Sequence, residues 1–227
     1  TQIEYHNNLY YNEDSPEISD YEYDLLTREL KALEQEFPEL ITKNSPTQKV
    51  GGKAKREAGV LIEHDVPMLS LQDVFSEEEV LEFVGKMRKE LENPKFTVEM
   101  KIDGLSMALR YEDGELKHGI TRGDGLIGED VTENARVIQN VKTSLEEKLS
   151  YLEVRGEVYM AKADFEHTNE IQELMNKKTF ANPRNCAAGT LRQLDADIVK
   201  ERGLSIFVFN VQAVNGKEFD SHSQSLE

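Results

Sequence analysis

The sequence predicts an α+β protein, with a small helical N-terminal segment followed by a larger domain of largely antiparallel sheet and flanking helices. Three observations predict it. The first fifty residues carry hydrophobic repeats of helical period only. Beyond residue 58 strand-like runs dominate, and some adjoin through turns as short as Glu112-Asp113-Gly114, which suit antiparallel neighbours. Helical runs fall between some strands but do not alternate with them as βαβ units would. At 227 residues and 38% hydrophobic, the chain can bury a sizeable core in one or two domains.

The elements follow in order. In "SDYEYDLLTRELKALEQEF", Ser19 and Glu22 form a capping-box pattern, and Leu26, Leu30, Leu33 and Phe37 recur on one helical stripe that Pro38 ends. "NSPTQKVGGKAKREAG" is rich in glycine, proline and small or basic residues. It reads as a linker and hinge, placing the helical subdomain at 1–57 and the larger domain at 58–227. Strands are expected at "KFTVEMK", "LSMALRYE", "ELKHGITR", "LEVRGEVYM" and "LSIFVFNVQAV". Helices are expected at "SEEEVLEFVGKMRKEL", "GEDVTENARVIQNV" and "KADFEHTNEIQELMNKK".

Composition narrows the function classes. A formal net charge of −17 repels bulk nucleic acid, so any grip on DNA must come from local basic groups. The single cysteine, Cys186, excludes a disulfide framework or a multi-cysteine zinc site within these residues. No apolar run approaches the roughly 18 residues of a membrane span, and the first residues form no signal peptide. The expectation is a cytoplasmic monomer. The chain starts at Thr1 without a methionine and is read as a piece of a longer protein.

Several stretches could carry chemistry. In "VEMKIDGLSMALRYEDG", Lys101 follows Val98 and Met100 on an expected buried strand, and Gly104 would let a ligand approach the backbone. Taken alone, K-x-D-G is more often an exposed lysine beside a turn. "TRGDGLIGED" puts Arg122 at a strand end before a glycine-rich turn, where it could clamp phosphate or ribose, with Glu129 and Asp130 expected in the first turn of a helix. "LEVRGEVYM" places Arg155 and Glu157 in an apolar strand, which implies either a site or a structural ion pair. "FANPRNCAAGTLRQLD" concentrates Arg184 and Arg192 near Asn182 and Asn185 with almost no acid, suiting polyphosphate or a nucleic-acid backbone. Asp20, Tyr23 and Asp24, with Tyr10 and Tyr11 upstream, make an acidic aromatic patch suited to a flat cation, or merely a solvated face.

Together with "YYNEDSPEISDYEYDLL", "SPTQKVGG" and "HDVPMLSLQDVF", these motifs resemble, in order and spacing, the adenylation region of bacterial NAD-dependent DNA ligases. The resemblance implies a nicotinamide-mononucleotide-binding subdomain followed by an ATP-grasp-like nucleotidyltransferase domain. It implies that Lys101 attacks the α-phosphorus of NAD, with Asp103 beside it, and holds AMP as a phosphoramidate. It assigns Glu99 to the adenine amino group, Ser70 and Leu71 to the adenosine pocket, and Arg122 and Glu157 to the ribose. The nicotinamide mononucleotide half falls to Tyr10, Tyr11, Asp20, Tyr21, Glu22, Tyr23 and Asp24; some members carry His at the place of Tyr11. Arg184, Arg192 and Arg202 would meet phosphates or nicked DNA. Magnesium is implied for the reaction, with no metal site in these residues, and the family's zinc lies in a downstream region. Nicked double-stranded DNA would be the partner, in replication and repair.

Two departures stand out. Cys186 replaces a usual small alanine and receives no catalytic role. The family's later lysine motifs do not occur after "SHSQSLE", which implies weak self-adenylation by these residues alone. The alternatives are a non-catalytic NAD- or AMP-binding fragment, or an ATP-dependent ligase or capping-type nucleotidyltransferase. The acidic tyrosine patch argues against the latter, since ATP has no nicotinamide.

Overall fold

The computed structural model describes residues 2–11, 16–42, 45–48 and 60–227. The boundary expected near residue 57 and most of the expected hinge lie outside the described residues.

Two helices open the chain, α1 (Gln2–Tyr11) and α2 (Asp20–Glu36). Ser19 caps α2: its hydroxyl accepts from the Glu22 amide, and the Glu22 carboxylate accepts from the Ser19 amide at 2.8 Å. Ile3 and Leu9 of α1 are buried, whereas Leu33 and Phe37 stay exposed. The ten residues of α1 are too few to cover the whole stripe of the 17-residue α2.

Four antiparallel strands make the main sheet: β2 (Leu105–Glu112), β3 (Glu115–Thr121), β5 (Tyr151–Met160) and β6 (Leu204–Val214), in the order β3-β2-β5-β6. Asp113 and Gly114, at φ 49° and 76°, form the tight β2–β3 turn, a pair of positive φ angles that matches the twist of a hairpin. One face of the sheet, with Met107, Leu109, Tyr111, Val154, Val158, Leu204 and Ile206, packs on helices α4 (Thr132–Arg136), α6 (Pro183–Leu191) and α7 (Ala196–Arg202). Helix α5 (Lys162–Leu174) flanks α6 and α7. On the other face Ala108 and Ile120 meet Met68 and Ile62. This second layer is a strap containing β1 (Leu61–Glu63), which pairs with β4 (Ile127–Glu129). Apolar residues of both parities are therefore buried along β2, as its unbroken burial from Met107 to Tyr111 shows.

Two expectations are corrected, while a third element, the helix expected at "SEEEVLEFVGKMRKEL", forms but lies on the surface. "KFTVEMK" forms no strand; residues 94–103 run without ladder partners, and Val98 and Met100 are 99% and 78% exposed. A strand needs a neighbouring backbone, and the described residues offer none there. Helix α3 (Glu77–Glu90), capped by Ser76, likewise buries none of its side chains. The helix expected over "GEDVTENARVIQNV" shrinks to the five residues of α4, because Ile127–Glu129 pair with the strap instead.

Candidate active site

A cleft of about 630 Å³ opens between the N-terminal helices and the edge of the main sheet. It gathers Lys101 and Asp103 with Tyr10, Tyr23, Asp24, Ser70, Leu71, Glu99, Arg122, Glu157, Arg184 and Arg192. Sequence positions as far apart as 6 and 209 meet here.

Several of these side chains are braced by specific contacts. Arg122 follows β3, and its amide donates to the Ser106 carbonyl at 3.1 Å. Its guanidinium donates to Ser70 Oγ at 2.7 Å and to the Met68 carbonyl at 3.3 Å, so the strap and the glycine turn brace one another. Buried His64 reinforces that joint through Nε2, which lies 3.0 Å from the Thr121 carbonyl and 3.2 Å from that of Arg122. Arg155 donates to the Leu69 carbonyl at 2.9 Å, and its guanidinium carbon lies 5.4 Å from the Phe209 ring centroid. Burial, then the Arg122 cation, holds the Arg155 pKa below the usual arginine value, with Glu157 pulling the other way.

Glu157 accepts a hydrogen bond from Ser106 Oγ at 2.8 Å. Burial raises its pKa above the ordinary carboxylate value, opposed by the Ser106 bond and then by the Lys101, Arg184 and Arg155 cations. Asn182 caps α6, its side chain accepting from the Asn185 amide, with Pro183 in the first turn. That capped start carries Arg184, whose side chain is 11% exposed. Arg184 Nε lies 3.6 Å from Asp103 Oδ1, and its guanidinium carbon sits 3.9 Å from the Tyr10 ring centroid. One arginine thus links the acid beside Lys101 to an aromatic ring of the N-terminal helices. Arg28 makes a second link, 3.2 Å from Glu79 and over the Phe75 ring at 5.0 Å.

Lys101 faces the cleft but is exposed, so the burial expected of its strand is absent. The reason expected for Gly104 changes too. A Cβ there would lie 2.1 Å from the Val158 carbonyl oxygen, so the glycine lets this backbone, rather than a ligand, approach β5. Gly104→Ala is expected to cost about 1–3 kcal/mol by overpacking against rigid backbone and to displace the Lys101 segment. Thermal unfolding, read with covalent labelling of Lys101, measures both effects.

Other expected residues lie elsewhere. Tyr21 is exposed and Glu22 is committed to the helix cap; neither lines the cleft. The hydrogen bond from the Ser19 amide holds the Glu22 pKa low, as a capping carboxylate requires. Arg202 donates to Thr190 Oγ1 at 3.1 Å and stacks on Phe180, outside the cleft. The side chains of Tyr11 and Asp20 lie outside the described residues. Cys186 is fully buried, and burial pushes its thiol up to about 11. At pH 8 it is a protonated, inaccessible thiol, so iodoacetamide should leave the folded protein unmodified and label it only in denaturant.

Phe207 and Phe209 also line the cleft, with His6, Ser106 and Glu129. The two phenylalanines stand at i and i+2 on β6, a same-face signal hidden within a continuously apolar run. Glu129, expected in a helix, lies on β4 and 3.7 Å from Arg192 Nε.

Comparison with known proteins identifies the family. A family model described as the NAD-dependent DNA ligase adenylation domain matches residues 59–227. Another, described as the DNA ligase-like N-terminal NAD+-binding domain, matches residues 1–51. Proteins named DNA ligase are similar throughout: that of Clostridium kluyveri is 56% identical over 225 residues, covering 99% of this chain and 34% of the relative. Those of Acetivibrio thermocellus and Clostridioides difficile are 52% and 48% identical over 226 residues, again covering 99% of this chain and 34% and 33% of the relatives. The chain spans about a third of the length of these curated relatives. With one domain model matching residues 59–227 and the other the N-terminal helices, the chain belongs to the NAD-dependent DNA ligase adenylation domain family.

Proposed function

We propose that this chain is the adenylating part of a NAD-dependent DNA ligase, with Lys101 as the nucleophile. The observation that carries the reading is the convergence on one cleft of Lys101, Asp103, Glu157 and Arg184 with Tyr10, Tyr23 and Asp24. In the proposed step the neutral Lys101 amine attacks the α-phosphorus of NAD. A nitrogen–phosphorus bond forms, the phosphoanhydride bond to nicotinamide mononucleotide breaks, and the amine loses its proton. The tyrosines and Asp24 suit the cationic nicotinamide ring, through cation–π contact and charge. Arg122 and Glu157 suit ribose hydroxyls, Ser70 and Leu71 the adenosine pocket, and Arg184 and Arg192 the phosphates. Tyr11 and Asp20 belong to the same nicotinamide reading.

Among the described residues no cluster of three His, Cys, Asp or Glu side chains could hold a metal ion. Magnesium, in this reading, arrives on the nucleotide phosphates and offsets their charge. The AMP would then pass to the 5′-phosphate of nicked DNA, in the service of replication and repair. No helix among the described residues is long and apolar enough to cross a membrane. The setting proposed here is the cytoplasm, with the protein a monomer.

The test is incubation with NAD or ATP separately, followed by intact-mass measurement. A gain of one adenylyl group from NAD alone is expected; a gain from ATP alone overturns the reading. The unpaired segment carrying Lys101 favours one other reading, a binding module. Calorimetric binding of NAD with no adduct would establish that instead.

A further inference from the structure

We infer that His222 sets the base preference of the cleft by fixing Glu99 as a hydrogen-bond acceptor. This rests on the NAD reading above, in which Glu99 meets the adenine. Glu99 stands two residues before Lys101 on the extended segment that has no ladder partners and whose neighbours Val98 and Met100 pack on little. Its carboxylate therefore needs a tether from elsewhere. His222 Nε2, 123 positions later in sequence, lies 2.9 Å from Glu99 Oε1.

The tether is itself held in place. His222 opens helix α8 (His222–Ser225), which packs against β6. Ser221 caps it by accepting from the Gln224 amide, Gln224 Oε1 accepts from the Asp220 amide at 2.6 Å, and Ser225 Oγ donates to the His222 carbonyl at 2.7 Å. β6 also carries Phe207 and Phe209 into the same cleft, so aromatic faces and the tethered carboxylate share one support.

The chemistry follows from donor and acceptor counting. With Nε2–H donating to Oε1, the second carboxylate oxygen remains an acceptor whose orientation is fixed. A 6-amino purine donates to it. A 6-oxo purine presents lone pairs at that same position, its N1–H lying one atom away, and leaves a fixed carboxylate there unsatisfied, the situation in which recognition discriminates most strongly. His222 is thus a positioning residue, acting on the base through Glu99.

The experiment is calorimetric titration of the full chain with NAD and with nicotinamide hypoxanthine dinucleotide, comparing wild type with His222→Ala, His222→Gln and Glu99→Ala. Wild type should prefer NAD. His222→Ala should lower that preference about ten-fold, as loss of one charged hydrogen bond implies. His222→Gln, which keeps an N–H donor, should restore much of it, and an unchanged Tm would show the fold intact. An unchanged preference in both His222 variants, while Glu99→Ala loses it, overturns the inference and leaves the NAD reading standing. Tighter binding of both dinucleotides by His222→Ala also overturns it, marking the contact as an obstruction. A wild type that binds neither dinucleotide overturns both readings.

Discussion

Replacing Lys101 by alanine should abolish the NAD-dependent adduct, lowering its rate by at least about four orders of magnitude, because no other group can then form the phosphoramidate. The side chain is exposed and packs on little, so stability should change by less than about 0.5 kcal/mol. Lys101→Arg sharpens the test. Arginine keeps the cation near Glu157 but stays protonated at any usable pH, so it should bind NAD and form no adduct. Intact mass, calorimetry and thermal unfolding on the three proteins separate nucleophile, charge and fold. An adduct that persists on another residue in Lys101→Ala would remove Lys101 from the chemistry.

The largest stability effect is expected away from the cleft, at Arg110. Its side chain is 10% exposed and donates through Nε to Glu153 Oε2 at 2.8 Å, while Glu153 itself is 0% exposed. The Tyr151 hydroxyl lies 2.7 Å from Asp65 and 3.0 Å from Glu153, with one proton to share between the two carboxylates, and a second Arg110 nitrogen lies 3.3 Å from Asp65. Burial works against the Arg110 charge, and the hydrogen bond and charge of Glu153 more than offset it, leaving its pKa raised. Arg110→Leu would strand the Glu153 carboxylate in the core, at a cost of about 3–5 kcal/mol. In a domain of this size that corresponds to a fall in Tm of about 10 °C. Arg110→Met combined with Glu153→Leu should recover most of the loss, because the pair is removed with its desolvation cost. If the double variant is as unstable as the single one, the cost lies in packing and not in the charge. The network also reaches the strap, through Asp65 and the Glu63 carbonyl at 3.4 Å. Arg110→Leu should therefore loosen Ser70 against Arg122 and weaken NAD binding along with stability.

Much of the fold was legible because it is local. The runs that became β2, β3, β5 and β6 are dense in apolar residues, and Asp113-Gly114 announces the hairpin. Ser19 and Glu22 announce the start of α2. The same residues explain one misassignment: a Glu22 carboxylate bound to a helix cap is not turned toward a ligand, although its position in the motif suggested one. Arg202 shows a similar limit, since a guanidinium in a basic stretch can equally serve Thr190 and Phe180.

By itself the sequence determined the fold class, the antiparallel pairing, the capped helices and the motif set that matches the adenylation family, since these depend on residue type at short spacing. Only the tertiary structure decided that residues 94–103 lack strand partners, that Gly104 makes room for β5, that Arg184 joins Asp103 to Tyr10, and that His222 reaches Glu99. Each of these is a meeting of backbone or side chains from distant parts of the chain. Periodicity and propensity describe what a segment prefers; pairing, burial and charge contact depend on which neighbour arrives, and that is settled by packing the whole chain.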